Sequence, residues 1–189
     1  SMVESGKLAD EEVIPSGYFE LDYGILLRGG FTKGKLVEIF GAEGSGKSVI
    51  CYNTISQAQK MGIKCLLCDS ERAAKGRVGM TWLQKQGIDI DNLLYTDDIY
   101  IEDIAKHIID ACNDGVVLIV CDSLASWSTK LEMEKLMSSN EILEDRMLDP
   151  KPMLLKRVLP FVREAVDKNN SVVLITNQIR DDLGSAMRW

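Results

Sequence analysis

The stretch Gly41-Ala42-Glu43-Gly44-Ser45-Gly46-Lys47-Ser48 constrains this chain more than any other. It fits the pattern G-x-x-x-x-G-K-[ST], a loop that wraps a phosphate when a strand runs into it and a helix leaves it. Both neighbours are present. Leu36-Val37-Glu38-Ile39-Phe40 is an apolar run of strand length. Val49 to Met61 reads as a helix, and Gly62 can supply the left-handed residue that ends it. Glycines let backbone N–H groups turn inward around an anion, and a helix N-terminus adds partial positive charge. The expected phosphate cradle therefore runs from Gly41 through Val49. Lys47 is expected to reach the β- and γ-phosphates of a nucleotide such as ATP, and Ser48 to place its hydroxyl on Mg²⁺.

At 189 residues the sequence reads as one domain, a polar lead-in over 1–13 and a core over 14–189, large enough for a sizeable interior. Ser1-Met2 reads as a remnant of expression. No apolar run approaches a membrane span and no secretory signal precedes the first strand, which points to a cytoplasmic protein. The formal charge of −7 does not draw in polyanions, so nucleic-acid binding would need a local surface. Five cysteines lie in or beside apolar segments, as expected of reduced thiols. Cys65 and Cys68 match C-x-x-C inside an expected strand. Residues three apart on a strand face opposite ways, so the pair reads as core rather than as a metal or redox site. His107 falls on the polar side of an expected helix and reads as solvated.

The remaining elements alternate. Ile14-Pro15-Ser16-Gly17 reads as a turn, Tyr18 to Leu27 as a short helix or extended segment, and Gly29-Gly30 and Gly34 as punctuation before the first core strand. Ile63 to Cys68 is a second strand, and Arg72 to Gly79 a loop. Met80 to Gln86 is a short helix, and Leu93 to Tyr95 a short strand. Ile101, Ile104, Ala105, Ile108, Ile109 and Cys112 recur at the spacing of an amphipathic helix. Val116 to Cys121 has no polar alternation, as in a parallel sheet covered on both faces. Ser128 to Asp149 reads as a mobile excursion with fragments of helix. A helix starting at Pro152 runs to about Lys168 with a kink expected at Pro160, and Asn169-Asn170 ends it. Ser171 to Thr176 is the last core strand. Such alternation predicts an α/β fold with a mostly parallel, twisted sheet flanked by helices.

Ligands of such sheets bind beyond the carboxyl ends of the strands. Four polar signatures lie there: the glycine loop, Asp69-Ser70-Glu71, Asp122-Ser123 and Asn177-Gln178. Asp122 is placed to hold Mg²⁺ through water or through Ser48. Glu71 is the candidate to orient and polarise an attacking water, since it follows the neighbouring strand and can reach across the crevice. Asp69 is its competitor, or a support for the metal site. Gln178 can hydrogen-bond a γ-phosphate while its backbone leads into the tail, as a sensor would.

These blocks resemble the RecA-type recombinases, including phage-encoded members of the UvsX kind. Gly17 to Ser48 resembles the family's first segment and Walker A loop, with the acid at Glu43. Leu66 to Glu71 resembles the strand ending in the catalytic glutamate. Gly87-Ile88-Asp89-Ile90-Asp91-Asn92-Leu93-Leu94 is similar to a stretch of bacterial RecA. Val116 to Ala125 resembles the Walker B block and Leu174 to Gly184 the Asn-Gln-Ile-Arg segment. The resemblance spans residues 14–184 with its blocks in the family's order. It implies a RecA-like P-loop ATPase core that binds ATP and Mg²⁺ between the subunits of a filament on single-stranded DNA. It assigns Lys47 and Ser48 to phosphate and Mg²⁺, Glu71 to water activation, Asp122 to the Mg²⁺ shell and Gln178 to γ-phosphate sensing. By position, Ser128–Asp149 corresponds to the first DNA-binding loop, and the residues after Arg180 begin the second.

Departures accompany the likeness. A few extra residues separate Glu71 from the Asp89-Ile90-Asp91 block. The adenine-stacking aromatic then falls on Trp82 aligned from the right and on Val78 aligned from the left. Trp82 is preferred because an indole stacks on a purine, although it can instead pack the Met80–Gln86 helix onto the sheet. The family's later strands do not appear before Trp189, as in a truncated chain. The candidate first DNA loop has three bases against six acids, a net −3, so DNA binding rests on resemblance and not on charge. Two other functions stay open: another RecA-fold ATPase, helicase-like or a KaiC-like switch, and a nucleotide-dependent assembly module without productive hydrolysis. A small-molecule kinase is disfavoured, since no arginine-rich lid is evident.

Overall fold

A computed structural model describes residues 12–138 and 150–179. Five parallel strands form its central sheet: β3 (Lys35–Gly41), β4 (Cys65–Asp69), β5 (Leu93–Thr96), β6 (Leu118–Asp122) and β7 (Val172–Gln178), in the order β3-β7-β6-β4-β5. A separate antiparallel pair, β1 (Val13–Ile14) and β2 (Phe31–Thr32), precedes it. Between these two lies a single π-helical turn, Glu20–Ile25, where a short helix or extended segment was expected.

The sheet is sandwiched. Helices α1 (Lys47–Lys60) and α2 (Gly76–Lys85) cover one face, and Cys51, Tyr52, Ile55 and Leu83 meet Leu67, Leu118, Val120 and Leu174 there. Helices α3 (Ile101–Asn113) and α5 (Pro150–Lys168) cover the other, where Ile104, Ile108, Val162 and Val166 meet Leu66, Ile119, Val173 and Ile175. All five residues of β4 and all five of β6 are buried, which is why neither strand shows polar alternation. Each large aliphatic side chain so buried contributes roughly 1.5–3 kcal/mol.

Cys65 belongs to one core cluster and Cys68 to the other, so the C-x-x-C pair does face opposite ways. Burial pushes the Cys65 thiol up to about 12. Among the described residues no group of three or more His, Cys, Asp and Glu side chains could hold a metal ion. Nor is any described helix long and apolar enough to cross a membrane.

Several boundaries differ from expectation. Helix α1 begins two residues early at Lys47 and ends at Lys60, with Met61 as its C-cap and Gly62 following at φ +75°. Helix α2 begins at Gly76, inside the expected loop. Helix α5 begins at Pro150 rather than Pro152 and continues through Pro160, and Asn170 follows it at φ 52°. His107 is not simply solvated, because its Nε2 lies 2.7 Å from Asp98 Oδ2.

The Ser128 excursion starts with a helix, α4 (Lys130–Ser138). Thr129 Oγ1 accepts from the Glu132 N–H at 3.1 Å, and Glu132 Oε2 accepts from the Thr129 N–H at 2.8 Å. This is a reciprocal capping box. Ser128 is held beside Tyr100 by a parallel bridge. The remainder of the excursion, the tail from Arg180 and the lead-in up to residue 11 lie outside the described residues.

Candidate functional site

The parallel register puts all four polar signatures at one edge of the sheet. Gly41 pairs with Gln178 at the ends of β3 and β7, and Asp69 pairs with Asp122 at the ends of β4 and β6. β4 does not neighbour β3. β7 and β6 stand between them, so Glu71 reaches the site from beside Asp122.

The glycine loop presents an uncapped helix end. Gly46 takes the N-cap position at φ +91°, which a residue with a Cβ rarely adopts. The first backbone bond of α1 runs from the Ile50 N–H to the Gly46 carbonyl at 3.1 Å, and no side chain caps the helix. The N–H groups of Lys47, Ser48 and Val49 thus have no carbonyl within their own helix. Lys47 folds back over the loop, donating to the Gly41 carbonyl at 3.0 Å and the Ala42 carbonyl at 2.7 Å. The Ile179 N–H also donates to the Gly41 carbonyl, at 3.2 Å, so the Gln178 segment is stitched to the first residue of the loop. Asn177 completes the seam by donating to Glu38 Oε1 at 2.8 Å.

The acids divide by environment. Asp122 is buried, and each of its carboxylate oxygens accepts from a buried hydroxyl: Oδ2 from Tyr52 at 2.8 Å and Oδ1 from Thr176. Every carboxylate oxygen has a second lone pair, so two accepted bonds do not exhaust the group. Glu71 is exposed, and Ser123 donates its hydroxyl to Glu71 Oε1. Asp69 is fully buried and occupied. It accepts from the Ala73 N–H at 3.0 Å, the Ala74 N–H at 2.7 Å and the Tyr95 hydroxyl at 3.0 Å. It shapes the turn that carries Glu71, and its oxygens are not held toward the glycine loop.

Trp82 stands on α2 with 39% of its surface exposed, edge-on to Tyr52 at 5.2 Å between ring centroids. It meets α1 through Tyr52, while much of the indole stays open. Val78, the other alignment, is 85% exposed. The donor set suits Mg²⁺: Ser48 and Asp122 offer only oxygen, and this ion takes few protein ligands beside phosphates and water. Two residues escaped the sequence reading, Tyr52 and Thr176. Tyr52 lies 70 positions from its partner, and no local pattern marks the pair.

A parallel sheet with a glycine loop on one strand and acidic tips on two others is an α/β core of the P-loop type. The RecA N-terminal domain family matches residues 2–188, and the chain belongs to that family as a RecA-type recombinase core. It is 34% identical over 178 residues to the RecA protein of Mesoplasma florum, covering 93% of this chain and 50% of that one. With the RecA protein of Thermotoga neapolitana it shares 33% over 174 residues, covering 92% and 46%. The chain thus spans about half the length of these relatives. The crystal structure of the RadB recombinase aligns with a TM-score of 0.61 at 20% identity, covering 92% of this chain and 74% of that one, a likeness of fold.

Proposed function

We propose that this chain is the ATP-binding and ATP-hydrolysing core of a RecA-like recombinase that assembles into filaments on single-stranded DNA for recombination and repair. The observation that carries the reading is the convergence of the uncapped α1 terminus with Gln178, Asp122 and Glu71 at adjoining strand tips.

Each group has a part that its surroundings support. The unpartnered N–H groups of Lys47, Ser48 and Val49 receive phosphate oxygens. The Lys47 ammonium exchanges the Gly41 and Ala42 carbonyls for the β- and γ-phosphates, which costs little because both partners are already loop atoms. Ser48 and Asp122 would hold Mg²⁺, Asp122 through water or through Ser48. When bound, that ion neutralises charge building up on the phosphate oxygens. Glu71 orients the attacking water, helped by an exposed position that Ser123 fixes. The water oxygen bonds to the γ-phosphorus, the bond to the β-phosphate oxygen breaks, and Glu71 takes up the proton. Gln178, sewn to the loop through Ile179, senses the γ-phosphate and passes its presence to the chain beyond. Trp82 offers its open surface to adenine.

DNA contact is proposed from the family, since Ser128–Asp149 carries a net charge of −3. Five free, buried cysteines suit a reducing cytoplasm, bacterial or that of a phage-infected host. The experiment is ATP turnover, with and without single-stranded DNA, on a version extended to the length of the relatives, with filaments scored by electron microscopy. Turnover stimulated by DNA together with filaments is the expected result. Turnover indifferent to DNA would replace the reading with a helicase-like or KaiC-like ATPase, and binding without turnover with an assembly module.

A further inference from the structure

We propose that Tyr52 is a positioning residue that couples the base end of the nucleotide site to its carboxylate end. The inference rests on the nucleotide site described above and adds a connection within it.

Tyr52 is 1% exposed, on the sheet-facing side of α1. Its hydroxyl donates to Asp122 Oδ2 at 2.8 Å. Its ring meets Trp82 edge-on, with centroids 5.2 Å apart and planes at 81°. One rigid aromatic therefore touches both the indole proposed to meet adenine and the carboxylate proposed to serve Mg²⁺. Core side chains are packed at crystal-like density, so a shift of the Trp82 ring displaces the ring lodged against it. The Tyr52 hydroxyl then moves relative to Asp122. The second hydroxyl on Asp122 belongs to Thr176 on β7, whereas Tyr52 stands on α1. Thr176 supports the carboxylate without reporting on the base, and so provides a control within the same site.

The test is a set of Mg²⁺ titrations at saturating ATP, followed by calorimetry, on the 189-residue chain. In the wild-type background, Trp82→Ala should raise the Mg²⁺ half-saturation roughly threefold to tenfold, the span of one hydrogen bond. In a Tyr52→Phe background, which keeps the ring and removes only the hydroxyl, Trp82→Ala should add less than about twofold. In a Thr176→Val background it should keep its full effect. Additive effects of Trp82→Ala and Tyr52→Phe would overturn the coupling, as would equal loss of the effect in both backgrounds. If the wild-type chain binds no ATP, the nucleotide-site reading falls and the coupling with it. That outcome is distinct from additivity, which leaves the site standing and removes only the role of Tyr52.

Discussion

Ser123, just past the tip of β6, donates its hydroxyl to the carboxylate of Glu71, just past the tip of β4. The Glu71 N–H adds a second link, to the Asp122 carbonyl at 3.4 Å. A surface acid with no task would gain little from being held at both backbone and side chain. Glu71→Gln should therefore retain ATP binding and lose most turnover, by about a hundredfold or more. Ser123→Ala leaves the carboxylate chemically intact but unfixed, so turnover should fall by only about tenfold. Both are read by phosphate release on the extended version. Unchanged turnover in Glu71→Gln removes the assignment.

Asp69 and Glu71 are two residues apart, yet their substitutions should fail in different ways. The Asp69 carboxylate answers two turn N–H groups and one phenol in a fully buried place. Asp69→Asn turns one of its acceptor oxygens into a donor facing donors. Unfolding in urea should show a loss of about 2 kcal/mol. ATP affinity at low denaturant should stay within about twofold, because the residue shapes the turn rather than touching the ligand. A large loss of affinity with stability unchanged would make Asp69 a site residue after all.

The capping box at the start of α4 titrates. Burial raises the Glu132 carboxyl, but bonds from the Ser128 hydroxyl and the Thr129 N–H, with the charge of Lys151, outweigh it and leave it below its ordinary value of 4.5. A carboxylate with a lowered folded pKa stabilises the folded form fully above its unfolded value, and that contribution disappears as pH falls through the folded value. The first turn of α4 should therefore be intact above about pH 4.5 and loosen below it. Cα chemical shifts of residues 130–133 against pH report this directly. Thr129→Ala should cost about 1 kcal/mol of local helix stability and leave the rest of the chain unchanged. Helical shifts unaltered down to pH 3 would show that the box is idle.

The strands were legible because burial on both faces writes itself as unbroken apolar runs, as in Val116 to Cys121. The glycine loop was legible because its chemistry is local to eight residues. The start of α2 was not, because its small and basic residues read as loop. Gly79 is buried so close to the turn before it that an added Cβ would sit 2.4 Å from the Ala74 carbonyl carbon. Small residues there mark a close approach rather than a lack of helix. The Thr129-x-x-Glu132 signal was present in the sequence and went unread. Strand order was not legible, since nothing local to β4 says that β6 and β7 will later insert between it and β3. For the same reason the hydroxyls of Tyr52 and Thr176 could not be matched to Asp122, 70 and 54 positions away.

The central claim is that the loop from Gly41 to Ser48 holds a triphosphate through main-chain N–H groups and Lys47. Calorimetric titration of the chain with ATP and Mg²⁺, comparing wild type with Lys47→Ala, addresses it most directly, since binding needs neither a filament nor turnover. The wild-type chain should bind, and Lys47→Ala should weaken binding by about tenfold or more, as loss of a charged hydrogen-bond donor requires. Equal affinity in the two proteins, or no binding to the wild type, would contradict the account.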